Sequence, residues 1–141
     1  MLPIIIEAAT NFCLHQIRLP FDFIDGSDKK RTLLAYIDIE TTNDGLHRAY
    51  IGCDDRLIQM ITEIFLGEED SDEQTLVDML LETTNMIVGS AKVLAGELYE
   101  TTITIATPFI LPEEESTTLH MDEIKCISVN GGEMTIGLQR L

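Results

Sequence analysis

Apolar residues at the start of the chain recur at helical spacing: Ile5, Ala8, Ala9, Phe12 and Cys13 line one face of a helix predicted from Pro3 to about Gln16. Proline is tolerated in the opening turn, where its missing N–H has no intrahelical partner to lose, and Pro20 prevents the helix from continuing. Three strand candidates follow, "RLPFDFI", "TLLAYIDIE" and "HRAYIGC", separated by "DGSDKK" and "TTNDG". Asp44-Gly45 between alternating segments is a hairpin signal.

Helical spacing then returns. Asp54 and Asp55 are placed to cap a helix running to about Leu66, with Leu57, Ile58, Ile61, Ile64 and Phe65 on its apolar face and Gly67 at its end. The acidic run "EEDSDE" lacks the glycine and spaced ligands of a calcium loop and reads as a solvated linker, whose charges favour the N-terminus of the next helix. That helix is predicted over residues 73–98. After it, "TTITIATPFIL" reads as one strand with Pro108 marking an edge or an end, "PEEES" as a second acidic loop, and "IKCISV" and "MTIGLQ" as a hairpin joined by "NGGE". Each half begins with a helix that leads into a meander, the pattern of an internal duplication. The chain is thus read as a single α+β domain over residues 1–141, with helices packed on a largely antiparallel sheet.

The long helix carries the candidate chemistry. At 100° per residue, Gln74, Asp78, Glu82, Asn85, Gly89, Lys92 and Gly96 fall in one stripe about 80° wide. Leu76, Val77, Leu80, Leu81, Met86, Ile87, Val88, Ala91 and Leu94 cover most of the remaining circumference, so the helix should lie deep with one polar ridge showing. Thr83, Thr84 and Asn85 give up roughly 2 kcal/mol of helix propensity relative to alanine. The two threonines point toward the packed faces, and Asn85 stands on the ridge. Gly89 and Gly96 each cost about 1 kcal/mol more than alanine, while permitting close approach of another molecule.

Composition removes several functions. Acidic residues outnumber basic ones by 25 to 9, and the net charge of −16 repels a nucleic-acid backbone and an anionic membrane. The one basic cluster, Lys29, Lys30 and Arg31, falls in an apparent turn. No stretch reaches the length of an apolar membrane span, and "MLPIIIEAAT" lacks the basic flank and cleavage pattern of a signal peptide. Cys13, Cys53 and Cys126 are odd in number and far apart, which suits buried, reduced thiols in a cytoplasmic protein. His15, His47 and His120 have no metal-ligand spacing, and no phosphate-binding loop or hydrolase motif is present.

Asp78, Glu82, Asn85 and then Pro108 after 22 intervening residues resemble the D/S-x-x-x-E-x-x-N-x22-P signature of the CheC, CheX and FliY chemotaxis phosphatases. "ETTNMIVGSAK" is similar to the family's active helix, and the order of elements matches over most of the chain. The resemblance implies a CheX-like fold with one intact site, because the first helix offers only Glu7 and Asn11, spaced by four rather than three, with Pro20 nine residues on. It implies a phosphorylated CheY-type response regulator as substrate, with magnesium held by that partner and no cofactor of the chain's own. Asn85 would orient the attacking water, Glu82 would meet the regulator's lysine, and Asp78 and Pro108 would support the site. Gly89 and Lys92 extend the ridge as partner contacts. A homodimer formed through sheet edges is the family expectation. A non-catalytic interaction domain related to the flagellar switch proteins is the alternative on the same fold.

Overall fold

A computed structural model describes residues 1–25, 32–116 and 119–141. Helix α1 (Leu2–Asn11) runs into a π-helical turn (Phe12–Gln16), then come strands β1 (Phe21–Ile24), β2 (Thr32–Thr41) and β3 (Gly45–Asp54). Helices α2 (Asp55–Leu66) and α3 (Glu73–Leu98) follow, then β4 (Ile103–Ile105), β5 (Phe109–Ile110), the short helix α4 (Glu113–Ser116), β6 (Glu123–Val129) and β7 (Gly132–Arg140). Asp54 caps α2 by accepting the Leu57 N–H at 2.9 Å, and Gly67 ends it with φ +71°, a left-handed conformation that glycine adopts without a side-chain clash. Asn130 and Gly131, both at positive φ, make the tight turn between β6 and β7.

All pairings are antiparallel, and the strand order is β1-β6-β7-β3-β2-β4, with β5 also on β2. Exchanging β1, β2 and β3 for β4, β6 and β7 maps this order onto itself about the central β3–β7 pair. The duplication suggested by the sequence is thus built into the sheet, with each half lending its first strand to the other half's edge. Leu33, Ala35, Ile37 and Ile39 of β2 alternate onto the face that also carries Ala49, Ile51, Ile136 and Leu138, and the helices pack there to form one core. On the opposite face Arg48 donates from Nε and one terminal guanidinium nitrogen to Asp38 at 2.7 and 3.0 Å and lies over the Tyr36 ring.

Helix α3 occupies residues 73–98, as the periodicity predicts, and packs against α1, α2, β2 and β4. Four expectations need correction. The first helix is not regular to Gln16: the Ile17 N–H reaches back to the Phe12 carbonyl at 3.1 Å, a five-residue step that widens the last turn. The strand written "RLPFDFI" starts only at Phe21, because Arg18 takes a left-handed φ of +55° and Pro20 has no N–H to donate. "TTITIATPFIL" is two short strands, interrupted at residues 106–108, that both pair with β2. Part of the "PEEES" loop forms α4. The turn containing Lys29, Lys30 and Arg31 lies outside the described residues.

Candidate functional site

The site is built on α3. Asp72 caps this helix by accepting the Thr75 N–H at 2.9 Å, and its hydrogen bonds from Thr75 hold the carboxyl below its ordinary value. Met79, Leu80, Thr83, Thr84, Ile87, Val88, Ala91 and Ala95 are buried. Fully burying a side chain such as Leu80 or Ile87 contributes about 1.5–3 kcal/mol, so two of them outweigh the propensity lost at Thr83 to Asn85. The Thr84 hydroxyl donates to the Leu80 carbonyl at 2.8 Å, whereas the buried Thr83 hydroxyl has no hydrogen-bond partner among the described residues.

Gln74, Asp78, Glu82, Asn85, Lys92 and Gly96 are all exposed and Gly89 is half-buried, so the stripe read from the sequence is a solvent-facing ridge. At its N-terminal end Asp78 accepts a hydrogen bond from Gln74 at 2.9 Å. The side chains of Glu82 and Asn85 make no hydrogen bond or ion pair with any described residue. Three residues apart on a helix, their Cβ atoms lie about 5–6 Å from each other. A free carboxylate therefore stands beside a free carboxamide on a support fixed by the core. The carboxamide can accept and donate at once, which suits it to orient a water, and the carboxylate can meet a cation.

Pro108 is not on the ridge; it is buried in the break between β4 and β5, strands on which α3 packs. The shorter copy on α1 is divided. Glu7 accepts the Tyr99 hydroxyl at 3.2 Å, and the nearby carboxylate raises the pKa of that phenol. Asn11 instead lines a groove of about 440 Å³ between the end of α1 and α3, shared with His15, Gln16, Met86 and Ser90. Sequence reading gives His15, Gln16 and Ser90 no role, because the π-helical turn that brings the first two to the groove has no readable periodicity. All three cysteines are free and buried; desolvation pushes the Cys13 thiol up to about 11 and raises Cys53 further. His47 is buried, with Nε2 3.4 Å from Asp44, while His15 and His120 are exposed.

The family model described as chemotaxis phosphatase CheX matches residues 36–130. Among curated proteins none matches. Among solved structures, CheX of Vibrio vulnificus is 18% identical with a TM-score of 0.74, the alignment covering 97% of this chain and 95% of that one. CheX of Desulfovibrio desulfuricans is 19% identical with a TM-score of 0.71, covering 97% and 96%. The CheX-CheY-BeF3-Mg complex of Borrelia burgdorferi matches at 13% identity and a TM-score of 0.66, covering 98% and 97%. At these identities the likeness is one of fold.

Proposed function

The chain belongs to the CheX family of chemotaxis phosphatases, and from that premise we propose that it hydrolyses the aspartyl phosphate of a CheY-type response regulator. The observation that carries this reading is the pairing of Glu82 and Asn85, exposed and unpartnered, on a helix whose other faces are buried. An acyl phosphate is already activated, and a metal held by the regulator neutralises much of the phosphoryl charge. The phosphatase has mainly to hold a water in line with phosphorus.

In this reading the Asn85 carboxamide orients the water. The water oxygen bonds to phosphorus, the bond from phosphorus to the aspartyl oxygen breaks, and the regulator recovers a carboxylate while inorganic phosphate leaves as dihydrogen phosphate carrying both of the water's protons, or as hydrogen phosphate with one proton released to solvent. Glu82 pairs with a cationic side chain of the regulator and fixes the register of the complex; a carboxylate would otherwise be repelled by the phosphoryl group. Asp78, tied to Gln74, steadies the first turn of the ridge, and Pro108 holds the strand break beneath it. Gly89 and Lys92 continue the contact surface. Magnesium is assigned to the regulator; the Borrelia complex contains magnesium together with CheX and CheY.

The test is turnover of phosphorylated regulator at substoichiometric amounts of the protein. Several phosphates released per chain are expected, and a binding module that sequesters the regulator would release none. Asn85→Ala should lower the stimulated rate at least about tenfold, a loss of roughly 1.4 kcal/mol at the transition state, with the fold intact. An unchanged rate in that variant refutes the role given to Asn85.

A further inference from the structure

The groove beside the ridge deepens the phosphatase reading and rests on it. Met86 follows Asn85 and Ser90 follows Gly89, so one bank of the groove is the flank of the ridge itself. Along the helix axis Ser90 is only about 7.5 Å beyond Asn85. A partner burying about 800 Å² of this surface, the usual size for a specific complex, covers a disc roughly 16 Å in radius. A regulator centred on Asn85 therefore reaches the Met86 and Ser90 bank of the groove.

The chemistry of the groove differs from that of the surface around it. The chain carries −16, yet among the described residues no carboxylate lines the groove; its polar groups are the Asn11 and Gln16 carboxamides, the His15 imidazole and the Ser90 hydroxyl. The region around a phosphorylated aspartate is anionic, and a lining without carboxylates that offers amide, imidazole and hydroxyl groups repels it less than an acidic surface does. Glu7, the nearest acid along α1, accepts the Tyr99 hydroxyl. The second bank exists because of the π-helical turn: Phe12 and Cys13 stay buried, with Phe12 stacked on Phe65 of α2, while His15 and Gln16 face outward. Such turns are a less regular backbone form that often accompanies functional sites.

We propose that this groove seats the segment of the regulator flanking its phosphorylated aspartate, and that His15 and Gln16 are specificity-determining residues that hold it there without touching the phosphoryl group. The experiment measures dephosphorylation of phosphorylated regulators by the whole chain, wild type against the double variant His15→Ala, Gln16→Ala. KM should rise at least fivefold with kcat changed less than twofold and the melting temperature unaltered. The Kd for the same regulator carrying beryllofluoride and magnesium should rise by a similar factor. His15→Gln, which keeps a donor, should lose less than His15→Ala. A wild type that turns over regulator alongside a double variant with unchanged KM and Kd refutes the groove and leaves the phosphatase reading standing. A wild type that turns over no regulator refutes both.

Discussion

Replacing Gly89 with alanine separates what the ridge does for the fold from what it does for a partner. A Cβ built at Gly89 meets no heavy atom within 4 Å, and the residue sits inside a regular helix, so alanine enters without a clash. Alanine is favoured over glycine in a helix interior by about 0.8–1.0 kcal/mol. In a domain of this size that corresponds to a rise of about 3 °C in melting temperature. The protein thus forgoes stability at a position where its own packing gives no reason for a glycine. If the regulator's backbone lies against the helix one turn beyond Asn85, the added methyl displaces the phosphoryl group from the water. Misplacement by about 1 Å can cost 100-fold, so a fall of at least tenfold in kcat/KM is expected. The assay pairs thermal melts with decay of phosphorylated regulator, using Gly96→Ala as the comparison. Gly96 has equally open space and lies two turns farther along the ridge, so its variant should gain similar stability and lose less activity. A Gly89→Ala protein that melts no higher refutes the propensity argument. One that melts higher and keeps its kcat/KM refutes close approach at this point.

Two further predictions concern stability. Thr83→Val removes a buried hydroxyl that has no partner and should stabilise the fold by about 1 kcal/mol, read as a shift of the urea midpoint without a change in slope; a destabilised variant would show that the hydroxyl is satisfied in solution. Asp72 has a carboxyl pKa lowered by its cap bonds to Thr75, so its contribution is complete above the unfolded value of about 3.9 and is lost as pH falls through the lower folded value. An asparagine side chain at this position does not titrate, so the melting-temperature advantage of wild type over Asp72→Asn should shrink between pH 6 and pH 2.5, and a constant difference would remove the carboxylate from the cap.

The readable parts of this molecule are those in which one local rule acts alone. The extent of α3 follows from its cap at Asp72 and its uninterrupted periodicity, and the exposure of Glu82 and Asn85 follows from the same period of 3.6. Where two rules compete, the sequence is ambiguous. In "TTITIATPFIL" the β-branched residues favour a continuous strand, while Pro108 removes a donor; the result is two short pairings with β2 and a buried proline between them. At Phe12–Gln16 the letters fit an ordinary helix. Only the tertiary demands of burying Phe12 against Phe65 and bringing Ile17 into the core accompany the wider turn. The groove was invisible for that reason, since its two banks come from elements about 70 residues apart.

The two-fold arrangement of the sheet sharpens the question of why only one candidate ridge stands on it among the described residues. Each half supplies a helix, but the spacing of the polar pair differs, and on a helix that difference changes direction as well as distance. From Glu82 to Asn85 the helix turns about 300°, which is about 60° short of a full circle; from Glu7 to Asn11 it turns about 400°, which is about 40° past one. The amide therefore emerges on opposite sides of its glutamate in the two copies. On α3 the pair shares the exposed ridge with neither group engaged. On α1 the glutamate bonds to Tyr99, near the C-terminal end of α3, and the asparagine turns into the groove that α3 shares. On α1 the pair does not stand as a second free ridge: the glutamate is engaged and the asparagine joins the bank of a groove beside the first ridge, which the π-helical turn extends to His15 and Gln16. The loss of symmetry at the level of side chains thus leaves the candidate ridge on α3 and the groove shared with α1 side by side.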